Sequence, residues 1–215
     1  MPLKYACFIS YRHGQQALAE RIINDIYDAL ANELTLLVDA PAAPVAIDRE
    51  RLKGGMFYNK ALAAALCESA CMVLVFTPIY FSKEHTYCAR EYKAMEILEK
   101  KRLGLLGSTV DKGDGLIIPV VFRGLESLPA EIKDHRHYYC FDSFLLSDAK
   151  LSENPKHAAT IKEMAEYIAR RFNALNELPD DPCEQCGDFA LPTEDDIRPW
   201  LGCVAARRPP FVLRS

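Results

Sequence analysis

Six consecutive apolar residues, Cys71-Met72-Val73-Leu74-Val75-Phe76, limit the fold more than any other feature of the chain. A strand with one solvated face alternates polar and apolar side chains, whereas an unbroken apolar run must be covered on both faces. The run is far too short to cross a bilayer. It therefore reads as the central strand of a parallel sheet, and parallel strands need long crossover connections, usually helical ones. Both flanks supply them. Met56 to Cys67 has helical spacing in Phe57, Ala61, Ala64 and Ala65, and Tyr87 to Lys101 is helical as well.

The same alternation runs through the rest of the chain. Tyr5 to Ser10 reads as a buried strand, and Gln16 to Ala31 as a helix with Leu18, Ile22, Ile26 and Leu30 on one face. Leu34 to Val38 is the next apolar run, which Val45-Ala46-Ile47 continues after an Asp39–Pro44 turn. Gly104 to Gly115 reads as a loop, Leu116 to Phe122 as a fourth strand, Tyr138 to Phe141 as a short fifth, and Thr160 to Leu175 as a closing amphipathic helix. The pattern predicts an α/β fold over residues 1–175: a five-stranded parallel sheet in flavodoxin-like order with helices on both faces. Residues 176–215 dissolve into Pro, Asp and Cys and read as an irregular extension. In such sheets ligands bind beyond the carboxyl ends of the strands, where strands 1 and 3 diverge. There the chain places Ser10-Tyr11-Arg12-His13-Gly14 and Thr77-Pro78-Ile79-Tyr80-Phe81-Ser82.

Composition excludes several classes of partner. The 215 residues carry a net charge of −4 with both signs interspersed, which gives no electrostatic reason to expect a nucleic-acid or anionic-membrane partner. The first residues run straight into a strand without the apolar core of a signal peptide, so a cytoplasmic location is expected. Cys7, Cys67, Cys71, Cys88 and Cys140 lie in apolar periodic segments, where buried reduced thiols are the ordinary expectation. Cys183, Cys186 and Cys203 cluster in polar sequence. They form either part of a zinc site, for which only His157 offers a distant fourth ligand, or a set of reduced exposed thiols.

One carboxylate sits where a carboxylate is costly. On the helix from Tyr87, with about 100° per residue, Cys88, Tyr92, Met95 and Leu98 form an apolar stripe, and Glu91 projects inside it. Burial there demands a partner or the mouth of a pocket. A structural salt bridge, to Arg12 or Arg51, is one resolution. A functional site is the other. Glu99 lies near the same arc, at the helix end, where exposure is easy. A lone glutamate suits glycosidic cleavage through an oxocarbenium-like centre better than amide or phosphate hydrolysis.

Four segments together resemble bacterial TIR (Toll/interleukin-1 receptor) domains, over roughly residues 4 to 175. Cys7-Phe8-Ile9-Ser10-Tyr11-Arg12 looks like the family's first motif. Ile47-Asp48-Arg49-Glu50-Arg51-Leu52-Lys53-Gly54-Gly55, followed by Phe57, resembles its loop after the second strand. Cys71 to Tyr80 with Ser82 resembles its third strand and exit. Tyr87-Cys88-Ala89-Arg90-Glu91 resembles the Trp-Cys-x-x-Glu element of catalytic members, with Tyr87 in place of the tryptophan. The resemblance implies that Glu91 is the catalytic glutamate of an NAD glycohydrolase or cyclase. It further implies that Ser10, Tyr11, Arg12, Asp48 and Tyr87 contact NAD, which is substrate, with no cofactor required. It also implies self-association through TIR–TIR packing, activation by a partner protein or second messenger, and an NAD-depleting or signal-producing role in antiphage defence. Two other readings remain: a non-catalytic TIR interaction module, and an unrelated flavodoxin-like nucleotide or phosphate binder.

Overall fold

The structure, a computed structural model, describes residues 3–14, 17–39, 43–47, 58–107, 115–142, 150–179, 182 and 186–201. Five strands form one all-parallel sheet: β1 (Tyr5–Tyr11), β2 (Val45–Ile47), β3 (Ser69–Phe76), β4 (Ile117–Val121) and β5 (Tyr139–Cys140), in the order β2-β1-β3-β4-β5. All eight residues of β3 are buried, which requires cover on both faces, as the apolar run demanded. The longer helices supply that cover. α1 (Ala17–Thr35) packs against α5 (Pro155–Asn176), and α2 (Tyr58–Cys67) packs against α3 (Tyr87–Leu106). A short α4 (Ala130–Lys133) precedes β5. Among the described residues no helix is long and apolar enough to cross a membrane.

Several predicted boundaries move, among them the start of α5, which lies at Pro155 rather than Thr160. The run Leu34 to Val38 is not a strand: α1 continues through Thr35 because Leu34 extends the buried ladder of Ile26 and Leu30 at four-residue spacing. Leu36 beyond it is 82% exposed, so half of that apolar run has no core to enter. Likewise α3 does not stop at Lys101. Arg102 and Leu106 are buried and hold the last turns down, Gly104 is tolerated inside the helix, and Gly107 at φ 59° ends it.

Arg102 explains how α2 can stop abruptly beneath β3. A helix leaves its last carbonyls without partners. The fully buried Arg102 guanidinium donates to Cys67 O at the end of α2, and to Ser69 O (2.6 Å) and Ala70 O (3.4 Å) at the start of β3. One side chain of α3 thus satisfies a helix end and a strand start.

Glu99 performs a similar task for β4, which corrects the expectation that it would be exposed. It is 8% exposed and accepts from Leu116 N (2.5 Å), Ile117 N (3.2 Å) and both Nη atoms of Arg136 (2.8 and 2.6 Å). A Cβ on Gly115 would stand 2.6 Å from Glu99 Oε1 and 3.0 Å from Arg136 Nη1. Glycine is therefore required by close approach, and the carboxylate cannot simply swing away without abandoning its donors. Gly115→Ala is expected to lower unfolding stability by about 1–3 kcal/mol, seen as a reduced denaturant midpoint with an unchanged slope.

The C-terminal segment is largely irregular but not detached. Asp196 and Thr193 form a reciprocal cap on the short α6 (Glu194–Ile197), and Ile197 is fully buried. Trp200 stacks on Phe81 at 5.6 Å between centroids and meets Tyr92 edge-on at 4.7 Å. A disulfide joins Cys186 to Cys67, 119 residues apart. This overturns the expectation that Cys67 is a reduced thiol. Of the other apolar-segment cysteines, Cys7, Cys71 and Cys88 are buried thiols outside any disulfide, while Cys140 is exposed on the edge strand, contrary to its expected burial. Burial raises the Cys7 thiol well above its ordinary value and pushes Cys71 up to about 12, so neither is a nucleophile.

Candidate active site

Three elements converge at the carboxyl end of the sheet. β1 and β3 are neighbours, with Ser10 opposite Leu74 and Tyr11 opposite Val75. The chain then goes from β1 to β2 on one side and from β2 to β3 on the other, so the topological switch falls between them. β2 ends at Ile47 opposite Ile9, at the same end of the sheet. α3 starts at Tyr87 and brings Glu91 over β1 within its second turn.

Glu91 is 4% exposed. Its Oε2 accepts a hydrogen bond from Ser10 Oγ, and Ser10 is itself 1% exposed. Ser10 Oγ also lies 2.5 Å from Tyr80 Oη, a fully buried phenol. A serine hydroxyl has one proton. Since Ser10 spends it on the carboxylate, the phenol must donate to Ser10, which gives a directed chain from Tyr80 through Ser10 to Glu91. Burial, then the proximity of Cys88 and Glu91, pushes the Tyr80 hydroxyl well above its ordinary pKa, so it stays a donor. Cys88 Sγ donates to Tyr11 O at 3.4 Å and ties α3 to the end of β1.

The structure thus brings Ser10 and Glu91 together, as the sequence grouped them. Ser10 is one partner of Glu91 among the described residues; Arg51, one of the two arginines expected to pair with it, lies outside them. Arg12 is half-buried and turns its Nη1 to His13 O, while its Nε is buried without a hydrogen-bond partner among the described residues. Tyr11 is buried, with the exposed His13 ring stacked on it at 4.3 Å. Tyr87 stands on the rim, 39% exposed. The Tyr58 ring meets it at 90°, and the Arg90 guanidinium lies 5.5 Å from its centroid. Asp48 lies outside the described residues.

The zinc expectation for Cys183, Cys186 and Cys203 is overturned at Cys186, whose sulfur is bonded to Cys67 and cannot ligate a metal. Cys183 and Cys203 lie outside the described residues. His157, the distant fourth candidate, packs its ring on Phe141 at 5.1 Å near the start of α5, and burial lowers its pKa. No cluster of three or more His, Cys, Asp or Glu suited to a metal occurs among the described residues.

Sequence reasoning missed Tyr80. It stood in the strand-exit segment already singled out, but only the turn in which Tyr80 N donates to Thr77 O (2.9 Å) folds it back beneath Ser10. What the three side chains can do is hold one carboxylate rigidly in a poorly solvated place. Positive charge developing beside such a group is stabilised far more than in water. No protein-family model matches the chain, and no curated protein matches it.

Proposed function

We propose that the chain cleaves the nicotinamide–ribose bond of NAD, with Glu91 as the catalytic carboxylate. The observation that carries this reading is the burial of Glu91 at the β1/β3 switch point, hydrogen-bonded by Ser10. When the ribose carbon–nitrogen bond breaks, its electron pair passes to the pyridinium nitrogen and neutralises it, so departure needs no general acid. The cation left on the ribose is what a nearby carboxylate steadies. Water, or a ring nitrogen of the same molecule's adenine, then bonds to the ribose carbon and gives a linear or cyclic product. Arg12, at the exit of β1, suits a phosphate or ribose hydroxyl, and the exposed aromatic Tyr87 suits stacking. The wider role that goes with this reading is an NAD-depleting or signal-producing effector in defence, working as an assembly and switched on by a partner protein or second messenger.

The test is direct. Purified protein at high concentration, incubated with NAD, is expected to release nicotinamide. Ser10→Ala removes one donor to Glu91 and is expected to cut the rate about tenfold, the effect of one lost hydrogen bond to a charged group. If release is equal in wild type and in a Glu91 variant, the non-catalytic interaction module becomes the better reading.

A further inference from the structure

A concavity lies away from Glu91, beside the edge strand and toward the amino ends of β4 and β5. It encloses about 830 Å3 between α3, α5, the segment before β5 and the C-terminal segment. That volume suits a small organic molecule and far exceeds a single ion. Its walls are aromatic as well as charged, with Trp200, Tyr139 and the buried Tyr92 all on the lining.

The balance of charge in this cavity has a definite sign. Lys93 pairs with Glu96 at 3.2 Å, and Arg136 pairs with Glu99 at 2.6 Å. Each of those pairs is neutral within itself, which leaves Glu131, Glu163 and Asp196 as surplus carboxylates on a lining that also carries His135 and His137. Tyr139 Oη donates to Glu163 at 3.4 Å and orients it. Hydrogen bonds from the Thr193 hydroxyl and backbone hold the Asp196 carboxyl below its ordinary pKa, so it stays an anion.

A half-enclosed cleft with surplus negative charge repels phosphates and carboxylates, NAD included. Among the described residues its acids do not converge as a metal site. What remains is a cation with an apolar body, because aromatic faces attract such ions and carboxylates at the rim neutralise them. We propose that this cavity binds a small alkylammonium compound against its aromatic lining, Trp200 and Tyr139 included, with Glu131, Glu163 and Asp196 supplying the counter-charge. The inference is independent of the NAD reading, since neither Glu91 nor Ser10 lines the cavity.

Trp200 is the single tryptophan of the chain, so its emission reports the cavity directly. Full-length protein is titrated with choline and, separately, with choline's uncharged isostere, in which a quaternary carbon replaces the nitrogen. The expected result is a saturable change in Trp200 emission with choline and none with the isostere. The double variant Glu131→Gln with Glu163→Gln, both positions exposed and so tolerant of change, is expected to weaken binding about tenfold or more. Three results would each overturn the proposal: no saturation with choline, equal responses to choline and the neutral isostere, or an unaltered affinity in the double variant.

Discussion

Glu91→Gln is expected to lower nicotinamide release from NAD by about 100- to 1,000-fold, the usual loss when one preorganised electrostatic group is taken from a transition state. Glutamine has the shape of glutamate and can still accept the proton of Ser10, so the chain from Tyr80 through Ser10 survives the change. Only the charge goes. The midpoint of thermal unfolding should therefore stay close to wild type, and the affinity for NAD should change much less than the turnover. Steady-state kinetics beside a melting curve separate the two quantities. A variant that melts much earlier would show that the carboxylate serves the fold. One that folds normally and turns over at the wild-type rate would remove Glu91 from the chemistry.

Cys186→Ser is expected to lower stability by about 2–4 kcal/mol, because the bond it removes closes a loop across a sequence separation of 119 residues. The serine replaces the half-buried partner and leaves the buried Cys67 in place, so core packing is disturbed little. The loss should concentrate in the C-terminal segment, whose remaining anchors among the described residues include Leu191, Ile197, the Trp200 stack and the bond from Arg90 Nε to Pro192 O (2.7 Å). Protease cleavage after residue 179 and a red shift of tryptophan emission are the measurements. Treatment of the wild type with a dithiol reductant should reproduce both. If neither changes, the disulfide adds nothing to the docking of this segment.

Both features differ in how far the sequence foretold them. The strand β3 and the position of Glu91 were legible because they rest on local periodicity: six apolar residues in a row, and one acid inside a helical stripe. Ser10 was legible as a strand end. Tyr80 was not, since its direction comes from a turn rather than from a repeating pattern. Glu99 with Arg136, and Cys67 with Cys186, were illegible for another reason. Each pair meets only after the sheet is assembled, and nothing in spacings of 37 or 119 residues encodes the encounter. The C-terminal segment reads as irregular because Leu191, Ile197 and Trp200 are isolated among Asp, Glu and Pro. They bury themselves one at a time, against a surface that the rest of the chain must build first.

The sheet's margins carry a consequence for how copies of this chain can join. Among the described residues β2 has three residues and β5 two, so each flank offers only a few open amide and carbonyl groups there. Edges this brief are poor templates for a neighbour's backbone. Growth of filaments by strand-to-strand zipping is thus discouraged, and any ordered stacking must be written in side chains, where point substitutions can dissolve it.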